Sequence, residues 1–228
     1  SFGTSKIDKT YYESLKMLLS TFKVISVRED DGVNIVKNAT GLVPKQVMDP
    51  TFLLNTQEWS KLFASKPIIK GEYIFCYGFD KSEKSYAMIS AIRERLKLPV
   101  IAVLVSRSFR IKVDRYMREA GPEEFLNLAK YAAFICTGSY HGAAFAIHLR
   151  KSFFVTIHPT KNSRMETLLK RIGLENRQLR DVNKILQMSD DELFIDYANF
   201  EDRIYDTACD SMRWLKENLQ NLEFNKNS

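Results

Sequence analysis

Apolar positions along this chain fall into two alternating spacings. Short unbroken apolar runs give way to stretches in which apolar residues return every three or four positions. The unbroken runs predict buried strands over residues 23–27, 73–77, 100–105, 132–136 and 153–157. A brief strand over 46–48 is closed by Pro50. The periodic stretches predict helices over 9–22, 30–38, 56–63, 82–96, 123–130, 143–149, 163–172 and 199–219. Tyr12, Leu15, Leu18, Leu19 and Phe22 share one stripe of the first helix. Ile204, Ala208, Met212, Leu215 and Leu219 share one stripe of the last. Pro122 suits a helix start and Gly173 a helix end.

Strands that alternate with helices are joined by crossovers, and crossovers make neighbouring strands parallel. The expected fold is therefore α/β, a Rossmann-like parallel sheet with helices on both faces. No proline- or glycine-rich linker divides the chain, so residues 1–228 are read as a single Rossmann-like domain. No apolar run is long enough to cross a bilayer.

Charge and cysteine content narrow the picture a little. The formal net charge is +6, which suits an anionic ligand. Basic residues are not interleaved with aromatics along a stripe, so nucleic acid is not expected as a partner. Cys76, Cys136 and Cys209 are scattered and without metal-ligand spacing. Two of them lie within or beside strand-like apolar runs, so buried, reduced thiols and a cytoplasmic location are expected. No cluster of acids suggests a magnesium or calcium site, and no cofactor is implied.

Candidate chemistry centres on Thr137-Gly138-Ser139-Tyr140-His141-Gly142. This segment lies where a predicted strand hands over to a predicted helix. Ligands of open α/β sheets bind at the carboxyl ends of the strands. A helix start also offers unpaired N–H groups to an anion. Histidine is the side chain whose ordinary range lies near neutrality, and His141 would be placed beside such an anion. Arg28 follows the strand at 23–27, Arg107 the strand at 100–105, and Lys161 and Arg164 the strand at 153–157. In one parallel sheet these tips would share an edge. Taken alone, Arg28 reads as a surface charge paired with Glu29 or Asp30, and Lys161 and Arg107 as solvated charges. His148 and His158 have no partner nearby in sequence and read as structural or solvent-facing. There is no G-x-S-x-G elbow, P-loop or G-x-G-x-x-G.

An ordered set of pieces resembles the polysaccharide pyruvyl transferase family. They are Ser1-Phe2-Gly3, Ile25-Ser26-Val27-Arg28-Glu29 with Gly32, and Asp49-Pro50-Thr51-Phe52-Leu53-Leu54. Gly121-Pro122-Glu123-Glu124-Phe125 and Thr137 to Gly142 follow, then Asn162-Ser163-Arg164, Leu168-Leu169 and Gly173-Leu174. Together they span roughly residues 1 to 177. Gly138 stands where the family usually has aspartate, and Ser139 where some members have arginine.

The resemblance implies one half of a glycosyltransferase-B-like architecture. It implies the C-terminal, donor-binding half, which would be inactive by itself. It also implies transfer of the pyruvyl part of phosphoenolpyruvate to a sugar of a cell-surface or extracellular polysaccharide, as a ketal. Partners would be phosphoenolpyruvate and a glycan or lipid-linked saccharide, the latter drawing the enzyme to the inner face of the membrane. His141 is then the catalytic candidate, and Arg28, Ser139, Gly142, Lys161 and Arg164 are substrate-binding candidates. Two alternatives stay open: a glycosyltransferase-B-type enzyme using a nucleotide sugar, and a non-catalytic anion-binding domain.

Overall fold

The computed structural model describes residues 2–62, 66–79, 82–103, 113–156 and 163–224, with side chains to residue 221. In chain order the elements are α1 (Tyr12–Leu19), β1 (Ser26–Val27), α2 (Asp30–Thr40), β2 (Lys45–Gln46) and α3 (Thr56–Ser60). Next come β3 (Ile74–Tyr77), α4 (Glu83–Leu96), β4 (Val100–Val103), β5 (Arg115–Tyr116), α5 (Pro122–Tyr131) and β6 (Phe134–Thr137). The rest are α6 (Tyr140–His148), β7 (Phe153–Thr156), α7 (Ser163–Ile172), β8 (Gln178–Leu179), α8 (Asp190–Leu193) and α9 (Glu201–Phe224).

The chain gathers into two compact units. One holds the described parts of residues 1–53, 159–175 and 199–228; the other holds those of 54–158 and 176–198. The chain passes between them repeatedly, so neither unit is continuous in sequence.

The second unit contains a six-stranded sheet in which every pairing is parallel. Its strand order is β5-β4-β3-β6-β7-β8. The chain starts at the centre with β3, builds outward on one side, then crosses back and builds outward from β6. This is the dinucleotide-fold order, with its switch point between β3 and β6.

Period-two alternation explains the layers. Ile74, Cys76, Val100, Ala102, Phe134, Cys136 and Phe154 face one side and pack with Met88, Ile89 and Ile92 of α4. Those three recur at helical spacing, and burying each is worth about 2 kcal/mol over exposure. Ser82 caps α4 by accepting from Ser85 N at 3.2 Å, and Lys97 ends it in the left-handed region. Phe75 and Tyr77 face the other side and meet Phe125 of α5, at ring separations of 5.7 and 4.6 Å. Phe125 in turn lies 5.8 Å from Phe145 of α6. Helices thus cover both faces, as the sequence predicts.

The first unit is built differently. β1 and β2 form a parallel sheet of their own, with Ser26 opposite Lys45 and Val27 opposite Gln46. The sequence places the β1 strand in the main sheet; it is not there. The run 23–27 shortens to two residues, because Lys23 and Val24 stand exposed. Around this sheet lie α1, α2, α7 and α9. Met165, Leu168, Leu169 and Ile172 form the buried stripe of α7, which ends at Gly173 with φ +83°. Ser211 of α9 holds the β2 side by accepting from Met48 N at 2.9 Å.

Candidate functional site

The site is built where β3 and β6 end side by side. Tyr77 and Thr137 are paired in register, and both strands then break at glycine. Thr137 is fully buried; its hydroxyl donates to Tyr77 O at 2.7 Å and accepts from Ser139 N at 3.0 Å. The turn is thereby tied to both strand ends. Gly78 has φ +69°, and a Cβ there would come within 2.5 Å of Ser139 Cβ. A Cβ on Gly138 would come within 2.7 Å of Gly78 O. Gly138, where the family usually carries aspartate, thus has its backbone against a neighbouring carbonyl. Thr156, at the end of β7, closes the third side, with its hydroxyl 3.3 Å from the same Cβ position.

Ser139 opens α6 as its N-cap, accepting from Gly142 N at 3.4 Å. Gly142 packs on the Thr137 hydroxyl so closely that any side chain would overlap it. From Gly142 to His148 the helix is buried throughout. Its first turn emerges at the carboxyl edge of the sheet, with the positive end of its dipole outward. His141 lies in that turn and is exposed, its ring edge-on to Tyr140 at 5.4 Å. An exposed imidazole at a switch-point helix start can exchange protons with a bound ligand while backbone N–H groups face an anion.

The expected thiols are there: Cys76 and Cys136 are buried, cross-strand neighbours, and free. Burial and the hydrogen bond between them hold the Cys76 thiol well above its ordinary range, so it is no nucleophile. His148 is buried beside Trp59 and Phe145, and its carbonyl accepts from Thr56 Oγ1 at 2.8 Å. That is a packing role.

Arg28 and Arg164 lie in the first unit. Arg28 follows β1 and is ion-paired with Asp49, which follows β2 and is 2% exposed. The sequence suggests Glu29 or Asp30 for this pairing; Asp49 is distant from Arg28 in sequence. Glu29, also buried, accepts from Phe2 N at 2.7 Å. Asp30 accepts from Gln46 Nε2 at 2.7 Å, and its own N–H donates to Thr167 Oγ1 of α7 at 3.3 Å. Arg164, in the first turn of α7, brings its guanidinium to 3.9 Å from the Cβ position of Gly3. Phe2, Gly3, Arg28, Glu29, Asp49 and Arg164 are thus locally connected pieces of this unit. Lys161, Arg107 and His158 lie outside the described residues.

Sequence reasoning passed over Asp49, Gly78 and Thr137 as site-building residues. Asp-Pro directly after a strand was a signal for Asp49.

A family model described as polysaccharide pyruvyl transferase matches residues 1–158. The match includes Arg28, Ser139, His141 and Gly142 and ends before Lys161 and Arg164. None of the curated proteins matches the chain. Among solved structures, the chain is similar to Methanocaldococcus jannaschii UDP-GlcNAc 2-epimerase, crystallised with UDP-GlcNAc and UDP. The identity is 12% and the TM-score 0.49, over 80% of this chain and 60% of that one. The chain accordingly spans 60% of that protein's length.

Proposed function

This chain belongs to the polysaccharide pyruvyl transferase family, and from that premise we propose that it binds phosphoenolpyruvate and carries the acid that starts pyruvyl transfer to a sugar diol. The observation that carries the reading is His141: an exposed imidazole in the first turn of the switch-point helix, inside the family-matched residues.

In this reading His141 gives its proton to the methylene carbon of the donor, which becomes a methyl group. Positive charge develops at the neighbouring carbon, and one acceptor hydroxyl adds there. The bond to the phosphate oxygen breaks, and the second hydroxyl closes the ketal. One hydroxyl proton restores the imidazolium; the other leaves with phosphate. Arg28, in the first unit, is a candidate for binding a carboxylate or phosphate, which suits the fork of a guanidinium. The start of α6 faces the phosphate and stabilises it as it leaves; Lys161 and Arg164 are further candidates for binding an anion. The acceptor is a glycan or lipid-linked saccharide, met at the inner face of the membrane.

Replacing His141 with alanine in the active protein is expected to lower kcat by about 10²–10⁴-fold, the usual worth of a positioned acid. The circular dichroism spectrum should not change, because the ring is exposed. Full activity in His141→Ala would overturn the assignment. The strand order also suits a nucleotide diphosphate, so calorimetric titration with phosphoenolpyruvate and with uridine diphosphate separates the two donor classes. Binding of the nucleotide alone would favour a nucleotide-sugar enzyme.

A further inference from the structure

A single hydroxyl lies beneath the turn that carries His141. Thr137, the last residue of β6, is fully buried. Phe134, Ile135 and Cys136 before it are apolar, so packing alone asks for no hydroxyl there. A hydroxyl buried without bonds is costly. Thr137 bonds twice, each time to backbone: it donates to Tyr77 O of β3 at 2.7 Å and accepts from Ser139 N at 3.0 Å. The same oxygen lies against Gly142, where a Cβ would overlap it. Ser139 stands two residues before His141 and Gly142 one after it. One oxygen atom thus touches the end of β3 and both sides of the histidine.

Two further bonds of this turn are longer. Gly138 N donates to Tyr77 O at 3.4 Å, and Gly142 N donates to Ser139 Oγ at 3.4 Å. Bonds of 2.7 and 3.0 Å lie in the ordinary range and hold a turn more firmly than bonds beyond 3.2 Å. His141 is exposed, so its place relative to the sheet is set by the backbone of the turn that carries it. The threonine side chain is also stiff, because its branched Cβ restricts χ1.

We propose that Thr137 is a positioning residue for His141: its hydroxyl pins the first turn of α6 to the end of β3 and so fixes where the imidazole stands at the carboxyl edge of the sheet. Thr137 touches no reacting atom and acts through the turn. The proposal rests on the reading of His141 as the acid of the transfer. An acid must stand within hydrogen-bond reach of the atom it protonates. A misplacement of about 1 Å can cost about 10²-fold in rate.

The test compares Thr137→Ser with Thr137→Ala in the active protein, since the two differ by one oxygen. Circular dichroism sets the folded fraction, and kcat is taken per folded molecule. Thr137→Ser should keep kcat close to wild type. Thr137→Ala should lower it by about tenfold or more, with KM for phosphoenolpyruvate changed much less. In a His141→Ala background the same Thr137→Ala change should cost nothing further in kcat, because the group it positions is gone. Tyr197→Phe is the control. The Tyr197 hydroxyl is also buried, and it donates to Lys151 O at 2.8 Å just past the far end of α6. Losing that bond should leave kcat unchanged. Equal kcat in the serine and alanine variants overturns the proposal. So does a loss that persists in full without His141, or an equal loss in Tyr197→Phe, which would mean general loosening. Impaired His141→Ala with normal Thr137→Ala removes the positioning role alone; full activity in His141→Ala removes the acid reading and this proposal with it.

Discussion

Two residues, Asp49 in the first unit and Ser139 in the second, make interactions that can be tested singly. Asp49 is buried, and a buried carboxylate needs its counter-ion to replace lost hydration. Arg28 supplies that charge and is itself held in one orientation. Asp49→Asn is expected to destabilise the fold by about 3 kcal/mol, the low end for a broken buried pair, because Arg28 keeps 20% exposure. Urea unfolding measures this. In the active protein the same change should raise KM for the donor more than it lowers kcat, since Arg28 is proposed to bind rather than to transfer protons. Ser139 carries a structural task beside its proposed binding one. Ser139→Ala should cost about 1 kcal/mol as a lost cap. Ser139→Asp should keep the cap and hence the stability. If Ser139 also faces donor phosphate, the aspartate will raise KM by repulsion; an unchanged KM would leave the residue as a cap only. At this scale the sequence offers His141 from its place after a strand, and Arg28 and Ser139 as binding candidates through the family resemblance. It did not name Asp49, because the pairing joins segments that only the β1–β2 sheet brings together.

At the scale of the element, the turn from β6 to α6 shows packing overriding propensity. Alanine in place of a helical glycine ordinarily gains about 1 kcal/mol. At Gly142 the new methyl group would land on the Thr137 hydroxyl. Gly142→Ala is therefore expected to cost about 1–3 kcal/mol, as overpacking does. In a Thr137→Ala background the hydroxyl and methyl are gone and only the Cβ remains, 3.0 Å away, so the same change should cost less. A double-mutant cycle read by thermal unfolding gives the coupling; strict additivity would sink this account of the glycine. Most elements of the main sheet were legible as apolar runs and periodic stripes. The edge strands β5 and β8 were not, since two residues cannot display an alternation. The first helix was read as running from residue 9 to 22; it begins as a 3-10 turn at Lys9–Tyr11 and stops at Leu19. Its stripe is real, but Leu18 and Phe22 on it meet solvent.

At the scale of the molecule, Lys45 and Asp210 link the β2 end of the first unit to α9. The hydrogen bond from Lys45 holds the Asp210 carboxyl below its ordinary value of 3.8. A carboxyl lowered by folding adds stability that is complete above its unfolded value and is lost as pH falls through the folded one. Asp210→Asn should therefore lower the melting temperature at neutral pH, with the two curves merging in acid. Both side chains are about two-fifths exposed, so the effect at neutral pH is held below about 1 kcal/mol. A difference that grows toward low pH would contradict the assignment.

What the sequence by itself determined is the local order of the chain. Apolar periodicity is a property of neighbours, so strands, helices, the parallel sheet and the His141 turn could be read from it. So could the family, whose motif order is linear. The tertiary structure alone decided which strands share a sheet. That choice depends on burying faces and pairing backbone groups far apart in sequence. It placed β1 with β2 rather than beside β3, gave Arg28 its buried partner, and built each of two units from segments far apart in sequence. It also set His141 at the one place where the order of strands reverses, because only the assembled sheet has a switch point.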